Sequence, residues 1–167
     1  MIEFDEVNDL VSPVVIAAFE GWNDAADAAS GVVDHLMEHW SAEVVGAVDP
    51  EEFYDFQVNR PIIGTDLNGH RRLTWPTTRI AVARPAGMDR DVILVRGLEP
   101  SMRWRQFCAE LLAACDDLGA EMVITLGALL ADTPHTRPIP VTGMASEPDL
   151  VDRLRVEQSS YEVPTWI

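Results

Sequence analysis

Several groups of side chains are of types that chemistry uses. His35, Glu38 and His39 form an H-x-x-E-H pattern, in which two histidines one helical turn apart can hold zinc while the glutamate acts as base. The helical wheel weakens this reading. The apolar stripe centres on Ala29, Val33 and Leu36; the two histidines fall at its edge and Glu38 points to solvent. No third ligand is identified, so the pair reads as boundary histidines near a helix C-terminus, where His is electrostatically favoured. No metal or other cofactor is expected.

Two further clusters have acid–base or anion-holding groups. Arg96, Arg103 and Arg105 flank the start of a helix, where arginine opposes the macrodipole unless something anionic is present. That anion is Glu99, an acid from residues 1–59, or a bound phosphate. Asp132, His135 and Arg137 lie in a proline-flanked loop after an apolar strand, the side of an open α/β sheet where ligands collect. These six residues are the candidate ligand-binding set. No G-x-S-x-G elbow, G-x-G-x-x-G turn or Walker loop accompanies them, and no catalytic residue is assigned. Cys108 and Cys115 are seven apart on one helix, roughly 10 Å at 1.5 Å per residue. That is too far for a disulfide and suits thiols in a reducing compartment.

The elements that position these residues follow from hydrophobic periodicity. The continuous apolar run of residues 14–19 reads as a strand buried on both faces. Ala25, Ala28, Ala29, Val32, Val33, Leu36, Met37 and Trp40 then recur at helical spacing, with Asn23 as expected N-cap. Residues 44–48 form a second strand, completing a βαβ unit. Ile62-Ile63, the turn pair Asn68-Gly69 and residues 71–75 predict a hairpin. Strands follow at 79–84 and 91–96, then a helix carrying Trp104 to Leu118 and ended by Gly119, and a buried strand over 122–130. Ser146-Glu147-Pro148-Asp149 predicts a capped short helix. With no repeat or low-complexity linker, residues 1–167 read as a single domain.

Charge narrows the function classes. The chain of 167 residues has 12 basic residues, all Arg, against 28 acidic ones, a net charge of −16. This argues against nucleic acid or an anionic membrane as the main partner. No apolar run reaches membrane-spanning length and the start does not read as a signal peptide, so a cytoplasmic protein is expected. The charge is segregated. Residues 1–59 hold 14 acids and no Arg, whereas residues 60–105 hold nine Arg against four acids. Most of these charges are expected to pair within the fold, with an interface as the sharper reading.

Phe19-Glu20-Gly21-Trp22-Asn23-Asp24-Ala25, Asp49-Pro50-Glu51-Glu52-Phe53-Tyr54-Asp55-Phe56, Arg60-Pro61, Arg96-Gly97-Leu98-Glu99-Pro100, Trp104-Arg105 and the run from Leu126 to Pro138 come in one order along nearly the whole chain. Together they resemble the bacterial branch of the proteasome assembly chaperone 2 family. The resemblance implies an α/β fold, a mixed sheet sandwiched by helices and related to phosphorylase/hydrolase-like sandwiches. It also implies homo-oligomers and protein partners, proteasome subunits among them, and brings no catalytic residues. Members of this branch continue past this length, so part of the sheet is expected to be uncovered. The final Thr165-Trp166-Ile167 lacks a hydrophobic–tyrosine–any tripeptide in register. The expected function is a non-enzymatic assembly chaperone or scaffold. The alternative is a binder of, or enzyme acting on, an anionic or nucleoside-like ligand near Arg103, Arg105 and His135.

Overall fold

The computed structural model of the chain describes residues 2–4, 7–130 and 133–158. Asp132 and the tail from Ser159 lie outside the described residues. The chain divides into two compact units, Met1–Leu129 and Leu130–Trp166.

The first unit is built on a six-stranded mixed sheet. Its strands are β1 (Ile2–Phe4), β2 (Val14–Glu20), β3 (Glu43–Val48), β6 (Arg79–Ala83), β7 (Val92–Leu98) and β8 (Met122–Leu126). Between β3 and β6 the chain makes the separate hairpin of β4 (Ile62–Thr65) and β5 (Arg71–Thr74). The sheet order is β1-β3-β6-β7-β2-β8. β2 runs parallel to both β7 and β8, while β6 is antiparallel to β3 and β7.

Helices cover both faces, which is why the central strands read as unbroken apolar runs rather than alternating ones. Helix α1 (Ala28–His39) packs on the face that carries Ala18, Ala81, Ala83 and Leu94. The small side chains of that face let the helix approach the sheet closely. Helix α2 (Trp104–Asp117) belongs to the opposite face, with Val15, Ala17, Phe19, Ile80, Val82, Ile93 and Val95. Phe107 is the centre of that layer. Its ring meets Phe19 and Phe53 edge-on at 5.8 and 5.3 Å, a geometry that adds to simple burial.

The elements match the expectation closely and the caps do not. Asn23 does not cap α1. Instead the Asp24 carboxylate reaches past a 3-10 turn (Ala25–Asp27) and accepts from the Ala29 and Ser30 amides at 2.7 and 3.2 Å. The strand expected over 122–130 stops at Leu126, with Ala128 making only an isolated bridge to Asp24.

In the second unit, the short parallel pair β9 (Thr142–Gly143) and β10 (Glu157–Gln158) accompanies α3 (Pro148–Leu154). Glu147, not Ser146, occupies the N-cap position of α3. Among the described residues no helix is long and apolar enough to cross a membrane.

Candidate functional site

The alternation of the strands assigns each charged residue to a face. Ile16, Ala18 and Glu20 of β2 share the α1 side with Leu94 and Arg96 of β7 and Arg79 and Ala81 of β6, because side chains alternate with period two. At one end of this face the apolar layer gives way to charge. Arg96 is the centre of that end. Its Nε donates to both carboxylate oxygens of Asp34 at 3.0 and 3.1 Å, its Nη2 donates to Asp34 Oδ2 at 2.9 Å, and its Nη1 donates to Glu20. Partial burial opposes the charge on Arg96, but the hydrogen bonds and charges of Asp34 and Glu20 outweigh it and hold the guanidinium above its ordinary pKa.

A cavity of about 430 Å³ opens at this end of the sheet, within the size range of small-ligand sites. Arg96, Arg79 and Arg60 contribute to its wall, as do Glu20 and Asp34. Trp75, at the base of the hairpin, contributes an indole tilted against Phe56 at 4.9 Å. Arg79 lies directly opposite Arg96 in the antiparallel β6–β7 register.

On the α2 side the strand end is tightly closed. Thr78 is fully buried, and its backbone passes so near Gly97 that a Cβ there would lie 2.5 Å from the Thr78 Cα. Tyr54 Oη is 2.7 Å from Thr78 Oγ1 and donates to the Leu98 carbonyl at 3.2 Å. Burial pushes the Tyr54 phenol up to about 12, with the Thr78 hydroxyl pulling slightly the other way.

The other sequence-singled residues are spread over the molecule. Arg103 is the N-cap of α2 in a left-handed conformation (φ 55°) and pairs with Glu52. The anion demanded at this helix start is therefore an acid from residues 1–59. Glu99 is occupied elsewhere, its Oε2 accepting from the Trp22 amide at 3.4 Å. Arg105 is exposed in the first turn of α2. His135 and Arg137 are exposed in the second unit, in a turn closed by the Arg137 amide donating to the Pro134 carbonyl at 2.9 Å. Asp132 lies outside the described residues. Of the five described candidates, Arg96 alone lines the cavity. His35 and His39 stack on the surface of α1, ring centroids 5.7 Å apart. Among the described residues no group of three or more His, Cys, Asp and Glu side chains is placed to hold a metal ion.

Arg60, Arg79, Asp34 and Trp75 were not candidates on sequence grounds. Their signal was present in part: a short turn between the strands at 79–84 and 91–96 brings residue 79 opposite residue 96. Nothing in the pattern indicated that the hairpin base would close over that pair.

A helix-covered mixed sheet with a charged cavity at one end defines an α/β sandwich. The PAC2 family profile matches residues 18–167, and the chain belongs to that family. It is 59% identical to a PAC2 family protein from Streptomyces avermitilis (TM-score 0.86), covering 92% of this chain and 66% of that one. It is 52% identical to a Mycobacterium tuberculosis proteasome-assembly chaperone homologue (TM-score 0.82), covering 92% and 65%. A second M. tuberculosis structure, of a protein of unknown function, is 26% identical (TM-score 0.82), covering 99% and 60%. The chain thus spans about two thirds of the length of these relatives. No curated protein matches the sequence.

Proposed function

We propose that the chain acts through protein surfaces, as an assembly chaperone or scaffold in the formation of proteasome particles, in the cytoplasm and as a homo-oligomer. The observation that carries this reading is the 52% identity over 92% of the chain to a proteasome-assembly chaperone homologue. Two features of the surface support it. Arg96 and Arg103, which would otherwise be the first candidates for a phosphate site, are committed to Glu20, Asp34 and Glu52. The β4–β5 hairpin presents Ile62, Ile63 and Leu73 at 70, 62 and 47% exposure. A two-stranded hairpin alone is marginal, and one that exposes branched apolar side chains is suited to a protein partner.

The test is co-expression of the chain with α-type proteasome subunits, followed by size-exclusion chromatography and light scattering. The expected result is a complex in which the chain co-elutes with subunits or partial rings. Elution of the chain entirely apart from them, with unchanged ring formation, would overturn the reading.

A further inference from the structure

We infer that the cavity at the strand ends of the first unit is a binding site for a carboxylate attached to an apolar or aromatic group. The inference does not depend on the assembly role. It starts from a pair of like charges. Arg79 and Arg96 are directly opposed across β6 and β7, so their side chains emerge on the same face, an arrangement that is unfavourable for like charges. Among the described residues, direct carboxylate contacts go to only one of them. Arg96 takes both Asp34 and Glu20, whereas Arg79 has no carboxylate partner among the described residues. Arg60, on the same cavity wall, donates to the Gln57 carbonyl at 3.4 Å and has no carboxylate partner among the described residues.

The charge balance selects the ligand. Three guanidinium groups against the two carboxylates Glu20 and Asp34 leave the cavity at +1, in a molecule of net charge −16. One monoanion makes it neutral. A phosphate dianion would overshoot and meet the Glu20 and Asp34 carboxylates as like charges. The planar fork of a guanidinium matches a carboxylate in bidentate fashion. Trp75, Met37, Ile62 and Leu98 add an apolar wall to the lining. The Trp75 ring is held by its contact with Phe56, so this wall is preorganised for a flat or branched apolar group. The carboxylate belongs to a free small acid or to the C-terminus of a protein chain; the chemistry recognised is the same.

Isothermal titration of the chain distinguishes the possibilities with five compounds. These are 3-phenylpropionate, its primary amide, inorganic phosphate, and a glycine–serine hexapeptide ending in phenylalanine with its terminus free or amidated. The expected result is binding of the free acids and at least tenfold weaker binding of the amides and of phosphate. Phenylpropionate binding as tightly as the peptide points to a small acid, and preference for the free peptide points to a chain terminus. Arg79→Gln should weaken the acids about tenfold, the worth of one charge-assisted hydrogen bond. Arg71→Gln, on the hairpin outside the cavity, should leave them within about twofold. Without ligand, Arg79→Gln should melt close to the wild type, because Arg79 is exposed and makes no ion pair among the described residues. Equal binding of acids and amides, phosphate as tight as the acids, or no binding by any probe would overturn the inference. So would a folded Arg79→Gln chain with undiminished affinity, or one that melts well below the wild type.

Discussion

Tyr54 shows how a single side chain ties three segments together. Its hydroxyl joins Thr78, before β6, to the Leu98 carbonyl at the end of β7, and its ring is buried beside Phe53. Because burial raises the phenol from its ordinary value of 10.0 to about 12, the folded chain holds this proton more tightly than the unfolded one. The stabilisation is complete below pH 10 and is lost as pH rises from about 10 to about 12, amounting to roughly 2–3 kcal/mol across that window. Tyr54→Phe should abolish this alkaline slope in denaturant titrations while costing about 1–2 kcal/mol at neutral pH through two lost hydrogen bonds. A slope unchanged in the variant would show that another group is responsible. Gly97 is the second sharp test at this scale. A methyl group there would meet the Thr78 backbone at 2.5 Å, which a flexible side chain cannot relieve. Gly97→Ala should cost about 1–3 kcal/mol, lowering the melting temperature by several degrees at roughly 2–4 °C per kcal/mol. Gly31→Ala, where an added Cβ meets nothing within 4 Å, is the matched control and should not destabilise.

Among elements, α1 has an unusual start. Ala26 and Asp27 both take left-handed conformations (φ 57° and 54°), which cost energy in residues other than glycine. Asp24 stabilises the start by accepting from Ala29 and Ser30. The same loop is anchored to the end of β8, where the Ala128 amide donates to the Asn23 carbonyl at 2.6 Å and the Ala25 amide donates to the Ala128 carbonyl at 2.9 Å. The Trp22-Asn23-Asp24-Ala25 segment is therefore an architectural knot between β2, α1 and the end of β8. Asp24→Ala should destabilise the chain by about 0.5–2 kcal/mol, the worth of a lost cap, read by chemical denaturation; a neutral outcome would contradict the capping role. Periodicity located α1, α2, the four central strands and β8 because each has an apolar stripe or run, while the Asn68-Gly69 turn pair located the hairpin. It missed β1, which is three residues long, and β9 and β10, which are two each, because such lengths show no period. It misplaced both caps because Asn23 and Ser146 have the preferred chemistry, while the chain path gives the cap positions to other residues. The candidate arginines were legible as groups needing anions. Their partners were not, since Glu52 is 51 positions from Arg103 and Asp34 is 62 from Arg96.

For the molecule as a whole, the net charge of −16 conceals a division of labour. Acids of the first third neutralise Arg96 and Arg103 of the middle third, so the segregated charges are partly a folding device. What remains on the middle third is the hairpin with its apolar exposure and the cavity with its uncompensated arginines. Both belong to the first unit, and both are the surfaces that the proposed assembly role and the inferred carboxylate site assign to contacts with other molecules. Outward substitutions on the hairpin should be nearly neutral for stability, within about 0.5 kcal/mol, and costly for partner binding. The measurement that tests the account most directly is the yield of assembled particles from purified α- and β-type proteasome subunits, followed by native mass spectrometry. It compares no addition, the chain, and the Ile63→Asp/Leu73→Arg variant, whose new side chains are directly opposite in the β4–β5 register and of opposite charge. The chain is expected to raise the yield and to appear bound to an assembly intermediate, and the equally stable variant to do neither. Equal yields with and without the chain, or a variant as active as the wild type, would contradict it.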